Sequence, residues 1–186
     1  MHSALAHGPA TEERPLTLER VVRDLIADNL VPKEVGEKLL RDRRLARNDT
    51  HPLVVIADQK WRDPSNPKKV LHLEALTQWL AQRVNLPYMH IDPFKIDFAT
   101  VTRVMSNAYA TRFKILPVEV TTSEVVIATC EPYVREWEPQ LRQILRKEIR
   151  RVIANPLDIA SYIVEFYNLA RSVKFAAEQD KGAYSQ

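Results

Sequence analysis

Residues 73–132 read LEALTQWLAQRVNLPYMHIDPFKIDFATVTRVMSNAYATRFKILPVEVTTSEVVIATCEP. Leu73, Leu76, Leu80 and Ala81 recur at helical spacing and run into Asn85-Leu86-Pro87-Tyr88. A short extended piece, Tyr88 to Ile91, ends at Asp92-Pro93. Asp97 can cap a helix whose buried face is Phe98, Val101, Met105 and Ala108 or Tyr109. Ile115 to Val120 and Glu124 to Thr129 are β-rich, with Thr121, Thr122 and Ser123 as the hairpin between them. Pro117 lies inside the first strand, and a proline cannot donate to a ladder, so that strand is an edge or bulges there.

Downstream, Trp137, Leu141, Ile144 and Leu145 mark a helix, and residues 149–154 a third strand. A helix between the second and third strands favours a parallel crossover. Asn155-Pro156-Leu157-Asp158 is a helix start: a cap, a proline at the first position, and acid in the first turn. That helix buries Ile159, Tyr162, Ile163, Phe166, Leu169 and Ala170, and is expected to fray after Val173.

Upstream, Thr17 caps a helix carrying Leu18, Val21, Val22, Leu25 and Ile26. Pro32 opens a second helix with Val35, Leu39 and Leu40. This pattern returns. Ile26-Ala27-Asp28-Asn29 is echoed thirty residues on by Ile56-Ala57-Asp58-Gln59, and residues 35–43 are echoed forty residues on by 75–83. The ten-residue difference falls on Trp61 to Lys69, whose two prolines, Asn and Ser predict an exposed loop. The run Leu53 to Ala57 suits a buried strand or a helix, and the repeat favours helix.

The fold class is therefore α+β: an N-terminal helical subdomain followed by a small three-stranded mixed sheet packed with helices. The expected division is a leader over 1–14, helical repeats over 15–91, an α/β part over 92–175 and a linker or tail over 176–186.

Composition narrows the function. The chain of 186 residues is 45% apolar, enough for a core. It has no apolar run of about 18 residues and no signal-like start. Three glycines leave no P-loop and no dinucleotide fingerprint, and GxSxG is absent, so no catalytic residue is assigned. The single Cys130 reads as a small buried hydrophobe, in keeping with a reducing cytoplasm. Five histidines are scattered without a cysteine cluster, so no metal site is expected. The net charge is +3, and the basic runs Arg41 to Arg47 and Arg146 to Arg151 lack interleaved aromatics, which argues against nucleic acid. Arg41, Arg44 and Arg47 are candidates for an acidic partner. Trp61, alone in the polar insertion, is a candidate anchor for the same partner.

The order of these elements resembles the N-terminal domain of the ATPases that drive type II secretion and type IV pilus assembly. The residues carrying it are Leu73 to Tyr88, Ile115-Leu116-Pro117-Val118, Val126 to Thr129 with Glu131-Pro132, and Tyr167 to Ser172. The resemblance implies a docking domain joined to a hexameric ATPase core, with ATP and magnesium confined to that core. It implies a partner, the cytoplasmic domain of an inner-membrane platform protein, and a place on the cytoplasmic face of that membrane. It also implies that this is part of a longer chain whose continuation beyond Gln186 carries a P-loop.

One branch of the family binds cyclic di-GMP through a duplicated motif of arginine, glycines, leucines and glutamines. Here Arg20 matches the opening arginine, and Arg43 and Arg83 stand where the copies have their last glutamine. These three are the candidate ligand residues for cyclic di-GMP or another anion. Val21 and Val22 replace Leu-Gly, Asn29 replaces the second glycine, Val35 replaces the first glutamine, and the second copy has no opening arginine.

Overall fold

The computed structural model of the chain describes residues 14–46 and 49–183. Thr17 accepts the backbone N–H of Arg20 and starts α1, Leu18–Ala27, which buries Leu18, Val21, Val22 and Leu25. Asn29 takes a positive φ of 58°, so the N–H of Leu30 reaches back to the Leu25 carbonyl at 3.0 Å. That closes the helix with its last carbonyls satisfied. Helix α2, Lys33–Leu40, follows, with Pro32 at its cap rather than its first position. A single turn, α3, covers Arg43–Ala46.

The run Leu53 to Ala57 is helical. Pro52 opens α4, Pro52–Asp58, and the His51 ring Nδ1 accepts the N–H of Leu53 at 3.2 Å. The insertion is more ordered than a loop. Residues Arg62–Asp63 (β1) pair antiparallel with Asn66–Val70 (β2). The Asp63 carboxylate ties the turn by accepting both the N–H and the hydroxyl of Ser65, at 2.9 and 2.7 Å. Helix α5, Leu73–Arg83, completes this half and closes as α1 does, with Asn85 at φ 54° and Leu86 N–H on the Ala81 carbonyl.

The segments that echo each other are thus both helix pairs, α1–α2 and α4–α5. Helices α2 and α5 start at equivalent places, but α1 and α4 do not end at equivalent places in the echo. Arg83 is the last residue of α5, whereas Arg43 lies beyond the end of α2 in α3. The two arginines are not structural counterparts.

In the second half, Asp97 caps α6, Phe98–Val101, and Ser106 caps a separate helix α7, Asn107–Phe113. One helix was expected here. Ser106 interrupts it by accepting the N–H of Tyr109, so the second helix restarts and buries Ala110 and Phe113, leaving Ala108 exposed. Strands β3, Ile115–Val120, β4, Glu124–Thr129, and β5, Glu148–Ile153, lie in the order β3-β4-β5. The first pair is antiparallel and the second parallel, with α8, Trp137–Leu145, in the crossover. Strand β3 is an edge, and its register slips between Pro117 and Glu119, next to the proline. Helix α9 runs Pro156–Ala183 without ending near Val173. Its residues beyond Ala170 are exposed, so the continuation rests on helix propensity and not on packing.

Two cores result. One gathers Leu25, Leu53, Ile56 and Leu76; the other gathers Ile115, Ile127, Trp137, Ile159 and Phe166 on the sheet. Ile153 ends β5 but packs in the first core, and its backbone bonds Pro87 and Met89 at 2.8 and 2.9 Å. Within the first core, α1 and α2 approach through Gly36. A β-carbon there would meet Val22 Cγ1 at 2.9 Å and Ile26 Cδ1 at 2.7 Å. Gly36→Val is expected to destabilise the protein by about 2 kcal/mol through overpacking, read as a lower urea midpoint with an unchanged slope.

Candidate functional site

The predicted partner residues sit on the outer side of the helical half. Arg41, Arg43 and Arg44 are exposed on and around α3, and Arg47 lies outside the described residues. The Asp42 carboxylate accepts the Arg44 N–H at 3.0 Å and fixes this turn, holding the two neighbouring side chains outward. Trp61 does not stand alone in solvent. It is half-buried and packs on the first core, because Lys60 at φ 52° turns the chain back over α2 and the Trp61 carbonyl accepts Leu71 N–H at 2.8 Å. Trp61 forms one wall of a shallow cleft of about 340 Å³, with Val35, Leu39 and Leu45 opposite and Lys38 and Asp42 at its edge. An aromatic side chain, aliphatic side chains and Lys38 thus line one cleft, while Arg41 lines a separate one with Glu19, Arg23 and Glu37.

The predicted ligand arginines do not converge. Arg20 lies over the ring of Tyr133, 4.2 Å from its centroid, a cation–π contact joining α1 to the loop after β4. Arg83 grips α1: its two terminal nitrogens donate to Asp28 at 2.7 Å and to Asp24 at 3.0 Å. Trp79, one turn earlier on α5, donates its indole N–H to the other oxygen of Asp28 at 2.8 Å. The Trp79 bond and then the Arg83 bonds hold the Asp28 carboxyl below its ordinary value. Two i, i+4 pairs therefore meet face to face. Asp24 and Asp28 are functional neighbours of Arg83 that sequence reasoning passed over, although their helical spacing carried the signal.

A second feature lies between the halves. His51 is buried, its Nε2 donates to the Cys130 carbonyl at 2.9 Å, and its Nδ1 caps α4. Both ring nitrogens are used by a neutral imidazole. Burial pushes its pKa down to about 4. Glu131, also buried, places one oxygen 3.5 Å from His51 and accepts the Leu16 N–H at 2.8 Å with the other. Burial pushes this carboxyl up, and the Leu16 bond opposes that shift. The Cys130 thiol is buried and pushed up to about 12, chiefly by that burial. His51 and Cys130 border an apolar groove of about 490 Å³ between α4, α7 and α9, whose outer wall is Leu157 and Val164. None of the described helices is long and apolar enough to cross a membrane.

The depressed His51 pKa fixes a sign. The unfolded imidazole protonates near 6.5 and the folded one near 4, so the unfolded state binds more protons between them. The His51 contribution to stability is full above about pH 6.5 and is lost on acidification, by about 3 kcal/mol at the lower limit, while the raised Glu131 carboxyl contributes with the opposite sign. Urea titrations at several pH values should show this slope in the wild type and a flatter one in His51→Asn, which keeps a capping oxygen but does not titrate.

Comparison with known proteins agrees with this architecture. Residues 84–173 match the MshEN domain. The chain is 35% identical over 153 residues to the type IV pilus assembly ATPase TfpB of Acinetobacter baylyi, a match covering 74% of this chain and 26% of that protein. It thus spans about a quarter of that relative's length. Among solved structures, the N-terminal domain of XpsE aligns with a TM-score of 0.50 at 14% identity, covering 81% of this chain and 96% of that one. A structure of MshE with cdg aligns with a TM-score of 0.49 at 13% identity, over 82% of this chain and 99% of that one. With the pilus ATPase relative, the matched domain and the shared fold, the chain belongs to the family of N-terminal domains of type II secretion and type IV pilus assembly ATPases.

Proposed function

We propose that this chain is a non-catalytic docking and regulatory domain that couples a secretion or pilus assembly ATPase to an inner-membrane platform protein. On this reading it works on the cytoplasmic side of the membrane, held there by its partner. The observation that carries the reading is the face built by α2, α3 and Trp61. It offers an apolar cleft lined by Trp61, Val35, Leu39 and Leu45 with Lys38 beside them, and Arg41, Arg43 and Arg44 are exposed at the end of α2 and on α3. Tryptophan and arginine are the residue types enriched at interface hot spots. Rim cations chiefly steer association and set its salt dependence.

Cyclic di-GMP binding is the second reading, and the arginines count against it. A dinucleotide phosphate needs guanidinium groups aimed at one point. Arg83 is already bonded to two carboxylates and Arg20 lies on Tyr133. Drawing Arg83 away would leave Asp24 and Asp28 facing each other one helical turn apart without a cation.

Surface capture on the purified cytoplasmic domain of the platform protein from the same system tests the first reading. The wild type should bind. Arg41→Glu with Arg44→Glu should weaken capture at least about tenfold while the circular dichroism and thermal midpoint stay as in the wild type. Trp61→Ala should weaken it too. No capture by the wild type overturns docking, and capture unchanged in the double variant removes this face from it. Calorimetric titration with cyclic di-GMP should give no saturable heat. Micromolar binding lost in Arg20→Ala would make the domain a second-messenger sensor instead.

A further inference from the structure

The first turns of α5 and α9 come together at the link between the two halves. Glu74 is the second residue of α5, Asp158 the third residue of α9, and His90 lies in the extended link between them. The nearest ligand atoms of the three side chains all fall within 4.8 Å of one another, and His90 Nδ1 is 3.6 Å from a Glu74 oxygen. No sequence pattern announces this trio, because its members come from three separate elements.

The fixing of Glu74 sets it apart from a chance acidic patch. The Glu74 carboxylate is oriented from outside the trio on both oxygens: the Tyr88 hydroxyl donates to one and the Asn155 side-chain amide donates to the other at 3.0 Å. Asn155 is itself held by accepting the Leu157 N–H at 2.9 Å as the cap of α9. Outer donors of this kind fix metal-ligating carboxylates. A nitrogen donor, His90 Nδ1, stands beside the two carboxylates.

We propose that Glu74, His90 and Asp158 form a site for one divalent cation of the zinc class, which pins α5 to α9 across the seam. One imidazole with two carboxylates suits zinc and its first-row neighbours better than calcium or magnesium, which favour all-oxygen shells. Three protein ligands leave a position open for water. Donor atoms sharing a zinc ion lie roughly 3.3–4 Å apart at bond lengths of about 2 Å. The trio therefore closes by about 1 Å, and the exposed His90 side chain is free to make that movement.

Titration calorimetry of the untagged chain with zinc chloride in a non-chelating buffer tests this. One saturable site per chain is expected, with a thermal midpoint that rises with zinc. His90→Ala and Asp158→Asn should each weaken binding at least about tenfold, and Tyr88→Phe by about tenfold through the lost outer bond. His72→Ala, which removes an exposed histidine at the cap of α5, should leave binding unchanged. His90 is exposed, so the metal-free midpoint of His90→Ala should stay as in the wild type, which separates ligand loss from misfolding. Absence of saturable heat overturns the site. So does binding that persists in both His90→Ala and Asp158→Asn.

Discussion

The buried polar seam between the two cores is the constraint on which the rest of the structure depends. Glu131 and His51 are both almost fully removed from water, and neither can be left unpaired without a cost of about 1–3 kcal/mol each. Their partners dictate geometry. Glu131 fixes the chain before α1 through the Leu16 N–H, and His51 fixes α4 to the end of β4 through the Cys130 carbonyl. Ile153 adds a third tie, because its backbone pairs with Pro87 and Met89 while its side chain fills the helical core. The halves are thus joined by directional bonds, which specify one arrangement, and not by apolar contact alone, which would tolerate several.

Within that frame the charged residues are mostly used to hold helices. Asp24 and Asp28 on α1 face Trp79 and Arg83 on α5, and the four side chains close one contact. Such a partly exposed pair is worth only about 1 kcal/mol, yet it sets where arginine is available. Arg83, one of the candidate ligand residues, is bonded here to Asp24 and Asp28. Arg41, Arg43 and Arg44 are exposed at the end of α2 and on α3. Arg20 and Arg83 are engaged by Tyr133 and by two aspartates, which supports the proposed protein partner over a small anionic ligand.

The helical half and the sheet half differ in how they close. The sheet half is stabilised by a continuous apolar cluster around Trp137 and Phe166. The helical half contains short helices that could not persist alone. It depends on close approach at Gly36, on left-handed Asn29 and Asn85 at the helix ends, and on the β1–β2 hairpin that folds Trp61 over its side. Small residues and turn geometry set its shape together with the large buried side chains of its core.

Local chemistry was legible in the chain itself. Thr17, Asp97 and Asn155 announced helix starts, Pro117 announced an edge strand with a slip, and the helix between β4 and β5 announced a parallel crossover. These signals act over a few residues or follow from chain connectivity, so periodicity and caps suffice. Where a competing local bond intervened, as at Ser106, the same reasoning merged two helices into one. The tertiary structure alone decided which side chains meet. Glu131 bonds a residue 115 positions away, His51 one 79 away, and Arg83 one 59 away. No pattern along the chain encodes such distances, because they depend on how two cores close on each other. The same closure gathers Glu74, His90 and Asp158, and it decides that Arg83 clamps α5 to α1 while Arg41 and Arg44 stay exposed.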